Sequence, residues 1–378
     1  MDKLRLHLLL IVSALFFFHP AMASHLAGQD FTYIAVDSAG GMYHYRVTLV
    51  IYQDCIEGSP IANEQDNPAF FSVFTGQGDI VQIDSFVYYS ASTPVPITSS
   101  GPCNTGGVAL CRNKLTFSKD FYLRPSTSGY NIVYQRCCLN VATNLFNPDD
   151  QGMAAMCSIP PSGLAAYNNS AVFSSYPPFI ISYGTPFSVD CSATDADGDS
   201  LSYELCTPYA YTNQAYNAKP LPPYPPPFIP VAYFSPFTFA DPLDCSVPLA
   251  IDPHTGMLTG TPAYTGTYFI GICCHEWRHG VLINTVQRTF EFTVVSCTPG
   301  ADGPSVDITM YPNPVIQELF IEVSNEQIIY ISITDVLGRA VYSQTEYYDK
   351  AQVDMTEFPA GMYFVKVNGS NVRKVIKG

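Results

Sequence analysis

Apolar and polar residues alternate with a period of two along much of this chain, and that alternation restricts the fold to packed sheets. Tyr43, Tyr45, Val47, Leu49 and Ile51 interleave with His44, Arg46, Thr48 and Val50. A strand of that pattern has one largely apolar face and one mixed face. Similar runs cover 80–89, 130–138, 267–274 and 289–295, separated by turn-forming clusters such as 37–41 and 57–68. No segment combines a sustained helical period with caps. The 24 Phe and 26 Tyr therefore have only sheet faces to bury against, and the expected fold class is all-β.

At roughly 100 to 200 residues per domain, 378 residues make two or three domains. Only 13% of residues are charged, about half the usual share, which excludes a disordered acidic tail and a long solvated helical protein. A formal charge of −15 leaves no basic patch to neutralise phosphates, so nucleic acid is excluded as a partner.

The first residues set the compartment. Lys3 and Arg5 precede an apolar run over 8–18, and Ala21-Met22-Ala23 places small residues at the cleavage-specifying positions. This is a secretory signal peptide over 1–23, cut before Ser24. The apolar run is too short to span a bilayer core, and no later stretch is long enough, so no transmembrane segment is expected. Position 24 is Ser, not the Cys that a bacterial lipoprotein carries there.

An exported chain meets an oxidising compartment, and its 12 cysteines group accordingly. Cys55, Cys103, Cys111, Cys137, Cys138 and Cys157 lie in 24–165, and Cys191, Cys206, Cys245, Cys273, Cys274 and Cys297 lie in 166–297. Even counts on each side fit two separately oxidised domains, although six cysteines allow about 15 pairings in each. A tight turn at Gly198-Asp199 would set Cys191 opposite Cys206 as one bridge. Cys137-Cys138 and Cys273-Cys274 sit in strand-like runs, where neighbouring side chains point to opposite faces, so each pair is expected to split between two bridges. Free thiols are the alternative.

Between 219 and 230 seven of twelve residues are proline, which excludes a central strand and gives a stiff polyproline-like surface loop packing Tyr224 and Phe228. Residues 298–306 read as a linker. His275-Glu276-Trp277-Arg278-His279 spells the zinc-peptidase signature, but that chemistry needs a helix to bring both imidazoles to one ion. Here the flanks read as strand and turn, and 275 and 279 would stand roughly 13 Å apart. No nucleophile elbow, phosphate loop or dinucleotide fingerprint occurs. The chain is expected not to be an enzyme. The alternative is a secreted hydrolase, either a zinc metallopeptidase on 275–279 or a glycan-cleaving protein with two unlocated carboxylates.

The last seventy residues carry the most specific pattern. Tyr311-Pro312-Asn313-Pro314 opens it, alternating strands follow at 319–323 and 329–334, then a turn at 335–339. Phe358-Pro359-Ala360-Gly361-Met362-Tyr363 and a basic end, Arg373-Lys374-Val375-Ile376-Lys377, complete it. This run, 307–378, resembles the type A C-terminal sorting domain of the type IX secretion system of Bacteroidota. The resemblance implies a small β-sandwich recognised by the outer-membrane translocon and removed by a sortase-like peptidase in or near the linker. Pro312, Asn313, Pro314, Gly338, Gly361, Tyr363, Lys374 and Lys377 are its signal residues, with Gly338 and Gly361 suited to turns of positive φ and Pro312 and Pro314 stiffening the start.

Asp195, Asp197 and Asp199 alternate around a glycine turn, and hard oxygen ligands at that density suit calcium, with a dissociation constant of roughly 10⁻⁴ to 10⁻³ M. A bare Asp-Gly hairpin turn would use the same residues. Together with 251–262, the 193–203 run resembles cadherin-like and immunoglobulin-like modules of bacterial surface proteins. The segments Ser24-His25-Leu26-Ala27-Gly28 and Gln135-Arg136-Cys137-Cys138 are similar to first domains of multidomain Bacteroidota surface proteins. These readings combine into two disulfide-containing Ig-like β-sandwiches, 24–165 and 166–297, followed by the sorting domain. The expected product is a secreted or surface-attached adhesive or structural protein whose tyrosines contact an extracellular glycan or protein.

Overall fold

The computed structural model describes residues 25–56, 66–100, 110–148, 151–211, 219–296, 308–323, 328–336, 340–348, 350–367 and 371–378. The signal-peptide, linker and Gly338 expectations, and Cys103 and Cys297, lie outside them. The chain is all-β, as the alternation predicts, and no described helix is long and apolar enough to cross a membrane. The runs 267–274 and 289–295 fall within Gly266–Arg278 and Val281–Val295, 130–138 runs one residue past Tyr130–Cys137, and 80–89 spans Ile80–Val87 and the start of Tyr89–Pro94. In the strand Met42–Asp54, Tyr45, Val47, Leu49 and Ile51 are buried while Arg46 is exposed. Its hairpin with Leu26–Ala39 turns through Gly40 and Gly41, both at positive φ (60° and 75°), which suits a two-residue turn matched to strand twist.

One nine-stranded sheet organises the body. In spatial order its main path runs Ser200–Leu205, Gly266–Arg278, Val281–Val295, Leu26–Ala39, Met42–Asp54, Arg112–Leu123 and Tyr89–Pro94. A six-stranded sheet that includes Ala69–Thr75, Tyr130–Cys137 and Gly152–Ile159 covers one half, closing a core around Phe31, Leu49, Phe71, Phe117 and Ile132. A three-stranded sheet of Phe187–Asp190, Met257–Pro262 and Cys245–Ile251 contributes Phe187, Val189, Leu249 and Leu258 to a second core with Ile270, Ile272, Phe290 and Phe292. Each such side chain contributes about 1.5 to 3 kcal/mol by leaving water.

The expected boundary at 165 is not a seam. Gln29 pairs with Thr289 and Asp30 with Arg288 across it, Ala210 pairs with Met153, and Ala210, Val231 and Phe269 belong to the first core. Two cores thus share one sheet instead of forming two separate sandwiches. The C-terminal segment 308–378 has its own core, with Val315, Leu319, Ile331, Ile333, Val353 and Val365 between sheets of three and four strands.

The disulfides correct three expectations. Cys206 is bonded to Cys273, 5.8 Å away between Cα atoms, and Cys191 is a buried free thiol. The strand after Gly198 does not fold back on the segment before it. Ala193–Thr194 pairs with Val172–Phe173, whereas Ser200–Leu205 crosses to Gly266–Arg278 and sets Glu204 opposite Cys273. Cys137 and Cys138 are joined to each other instead of dividing between two bridges. Cys273 and Cys274 do part, but only Cys273 is bridged; Cys274, like Cys157 and Cys245, is free. Cys55–Cys111 ties the end of Met42–Asp54 to the start of Arg112–Leu123, a closure that contributes on the order of 2 to 4 kcal/mol.

Candidate functional site

The 195–199 loop is built around one carboxylate. Asp195 Oδ1 accepts the backbone N–H groups of Asp197 and Asp199, each at 2.9 Å. Asp197 turns away to Asn169, accepting its backbone N–H at 2.7 Å and its side-chain amide at 2.8 Å. Arg278 grips Asp199 through both oxygens, at 2.8 and 2.7 Å. The side chain that takes Asp197's place is Glu276, fully buried, which accepts the Ala171 N–H at 2.6 Å and the amides of Asn168 and Asn284 at 3.2 Å. One oxygen from each of Asp195, Asp199 and Glu276 lies within 4.8 Å of the others.

This cluster carries more negative charge than its one arginine offsets. Burial pushes the Glu276 carboxyl up to about 7 and raises Asp195 as well. Asp195 Oδ2 is shielded from solvent without a hydrogen-bond partner among the described residues. A hard divalent cation or a shared proton would neutralise such a set. The sequence groups Asp195, Asp197 and Asp199, whereas the fold sets Asp195 and Asp199 beside Glu276. Sequence reasoning missed Glu276, which sat unrecognised inside the apparent peptidase signature.

That signature lies on the strand Gly266–Arg278, with His279 in the following turn at φ 53°. His275 and Glu276 face opposite sides. The imidazole meets Glu204 at 3.1 Å and Thr285 at 2.9 Å, while the carboxylate points inward. This arrangement does not build the zinc-peptidase centre. The proline-rich segment contributes only the edge strand Ile229–Pro230, with Phe228 against Tyr209 and the Tyr224 N–H donated to Gln135.

Two buried ionic clusters lie inside the body. His25, Gln53 and Arg136 converge on Asp66, and the side chains of all four are at most 3% exposed. The segments containing His25 and Arg136, singled out separately in the sequence, thus meet on one carboxylate. Burial pushes the Asp66 carboxyl up, but His25 and Arg136 override it and hold it well below the ordinary range. In the second cluster Arg112 bridges Asp54 at 2.5 Å and Glu291 at 3.0 Å, with the Asn140 amide 3.1 Å from both. Burial dominates at Glu291 because Arg112 is shared with Asp54, and its carboxyl is pushed up to about 7.

A raised carboxyl binds its proton more tightly in the folded than in the unfolded chain. Stability therefore falls as pH rises between about 4.5 and 7, by up to about 1.4 kcal/mol per pH unit for each such group. In chelator, the melting temperature of the full chain is expected to fall from pH 5 to pH 8. Glu291→Gln should flatten part of that slope and leave the share due to Glu276. A slope unchanged by the substitution would show that Glu291 titrates normally.

At the C-terminal end Asn313 and the strand bearing Lys374 and Lys377 lie in one contact. Asn313 donates to the Lys374 carbonyl at 3.1 Å and accepts the Ile376 N–H at 2.9 Å. Val315 closes the same contact, donating to Ile376 at 2.7 Å and accepting from Gly378 at 2.9 Å. The Pro312-Asn313-Pro314 turn thereby clasps the strand Asn371–Lys377. Tyr363 is buried with its hydroxyl on the Pro359 carbonyl at 2.8 Å. Lys374 is exposed and Lys377 nearly buried. Gly361 departs from expectation: it opens the strand Gly361–Val367 opposite Lys377 without a positive φ, because the turn is made by the preceding residues.

Residues 309–377 match the family model of the secretion system C-terminal sorting domain. This segment is a type IX sorting domain. A domain of this kind directs export, so the chain is secreted or displayed at the cell surface. Among solved structures, dimeric latent PorU from Porphyromonas gingivalis is similar at 12% identity over 92% of this chain, with a TM-score of 0.17. This chain spans 34% of that one, and at that TM-score the likeness carries no argument. No curated protein matches the chain.

Proposed function

We propose that residues 25–296 work outside the cell as an adhesive or structural binding unit, and that the sorting domain delivers them through the type IX translocon and is removed by a sortase-like peptidase near 298–306. The observation that carries this reading is the sorting domain itself, attached to a disulfide-containing β-sheet body. Exposed tyrosines, including Tyr88, Tyr122, Tyr183 and Tyr264, support it, since tyrosine offers large contact area at low entropy cost. The peptidase-like segment being a strand favours binding over hydrolysis. Calcium would be held by Asp195, Asp199 and Glu276, with Asp195 Oδ2 the unpaired oxygen that calls for it.

Cells carrying the full chain and cells lacking it should differ in attachment to one another and to polysaccharide-coated surfaces; equal attachment would overturn the adhesive reading. Calcium is tested separately by melting the purified chain. At ten to a hundred times its expected dissociation constant, calcium should stabilise the chain by about 1.4 to 2.7 kcal/mol over chelator. Asp195→Asn with Glu276→Gln should abolish the shift, whereas Asp197→Asn should keep it. No shift in the unmodified chain would remove calcium and leave adhesion standing.

A further inference from the structure

An open groove of about 400 Å³ runs between the strands Tyr130–Cys137 and Gly152–Ile159 on one side and the start of Val281–Val295 on the other. It draws on both halves of the body, and neither half completes it alone. None of its lining residues is Asp, Glu, Lys, Arg or His, in a chain of net charge −15. We propose that this groove binds a neutral oligosaccharide, an assignment that deepens and rests on the binding function above.

The lining supplies what an uncharged sugar needs. Asn131 Oδ1 accepts from Ser158 at 2.9 Å, which fixes the amide plane and leaves its nitrogen without a described partner. Asn284, at the edge of the groove, is buried with its amide on Glu276 at 3.2 Å. An amide anchored through its oxygen, as in Asn131, is a preorganised donor for a hydroxyl group. Gln287 accepts the Tyr209 N–H at 3.2 Å and donates to the Thr207 carbonyl at 2.9 Å. Together with the Phe228 ring at 5.7 Å, it sets Tyr209 as a half-buried ring whose hydroxyl has no described partner. Ile159, Pro160 and Leu282 add apolar surface for the C–H faces of pyranose rings. A groove of this volume lies within the usual range for small ligands. A charged glycan would find no counter-charge among these lining residues.

The full, oxidised chain is tested on an array of uncharged oligosaccharides, with sialylated and sulfated glycans and a peptide library alongside. Uncharged oligosaccharides should be retained in preference to the acidic glycans. Leu282→Arg, at a position 42% exposed, should weaken that retention about tenfold or more, as should Tyr209→Phe with Asn131→Ala, the loss expected from one or two hydrogen bonds. Melting temperatures close to that of the unmodified chain confirm that the variants fold. Retention of peptides alone, of acidic glycans alone, or of uncharged sugars undiminished in Leu282→Arg would overturn the assignment. If cells attach through the chain and Leu282→Arg does not weaken attachment, the groove fails and the adhesive reading survives. If cells never attach, the adhesive reading fails whatever the array shows.

Discussion

Replacing Asp66 by Asn is expected to destabilise the body by about 3 to 5 kcal/mol, the cost of leaving a buried charge without its partner. Arg136 is 2% exposed and His25 is fully buried, and both place a ring or guanidinium nitrogen on this carboxylate. An Asn of the same shape keeps an acceptor but removes the charge that compensates the guanidinium. Since a domain is stable by only about 5 to 15 kcal/mol in total, most of the variant should be lost to proteolysis during export, and the remainder should unfold at lower urea concentration. Asp120→Asn is the matched control: its pair with Arg46 is a surface pair, 40% and 46% exposed, worth about 0 to 1 kcal/mol. Equal urea midpoints for the two variants would show that the Asp66 cluster is not a structural anchor.

Removing residues 308–378 is expected to leave the body inside the cell envelope while the full chain reaches the surface or the medium. The cut is clean in packing terms, because every side chain of the sorting-domain core comes from within 308–375. Fractionation followed by detection of the body would read the outcome. The truncated body appearing outside in undiminished amount would sink the claim that this segment drives export. A milder version substitutes Asn313 by Ala, which removes both side-chain bonds to the final strand and should reduce export without touching the body.

The strands were legible because a period of two survives any arrangement of neighbours. Tyr45 to Ile51 could be assigned to one face without knowing what lay opposite. The sorting domain was legible because its turn residues and strand spacings are local. What depended on distant partners was not. Cys206 meets Cys273 only because Ser200–Leu205 joins the Gly266–Arg278 strand, and a hairpin reading of Gly198 could not supply that. Glu276 sat unremarked inside an apparent peptidase signature, and only the fold shows that its strand turns it inward toward Asp195, 81 positions earlier in the chain. Asp66 lay unremarked in a turn-forming stretch, since nothing nearby in sequence announces that His25 and Arg136 will converge on it.

The strand Leu26–Ala39 has the two ends of the body as its neighbours: Met42–Asp54 directly after it and Val281–Val295 far downstream. Asp30 reaches Arg288 across 258 positions, at 2.5 and 2.8 Å. During synthesis from the N-terminus, Leu26–Ala39 therefore keeps one strand edge open until Val281–Val295 has followed. Closing so long a loop is slow, and an unpaired edge in the meantime invites pairing with other chains. The order of synthesis thus runs against the order of assembly, so the exported chain needs to be held apart from its own kind until its last body strand arrives.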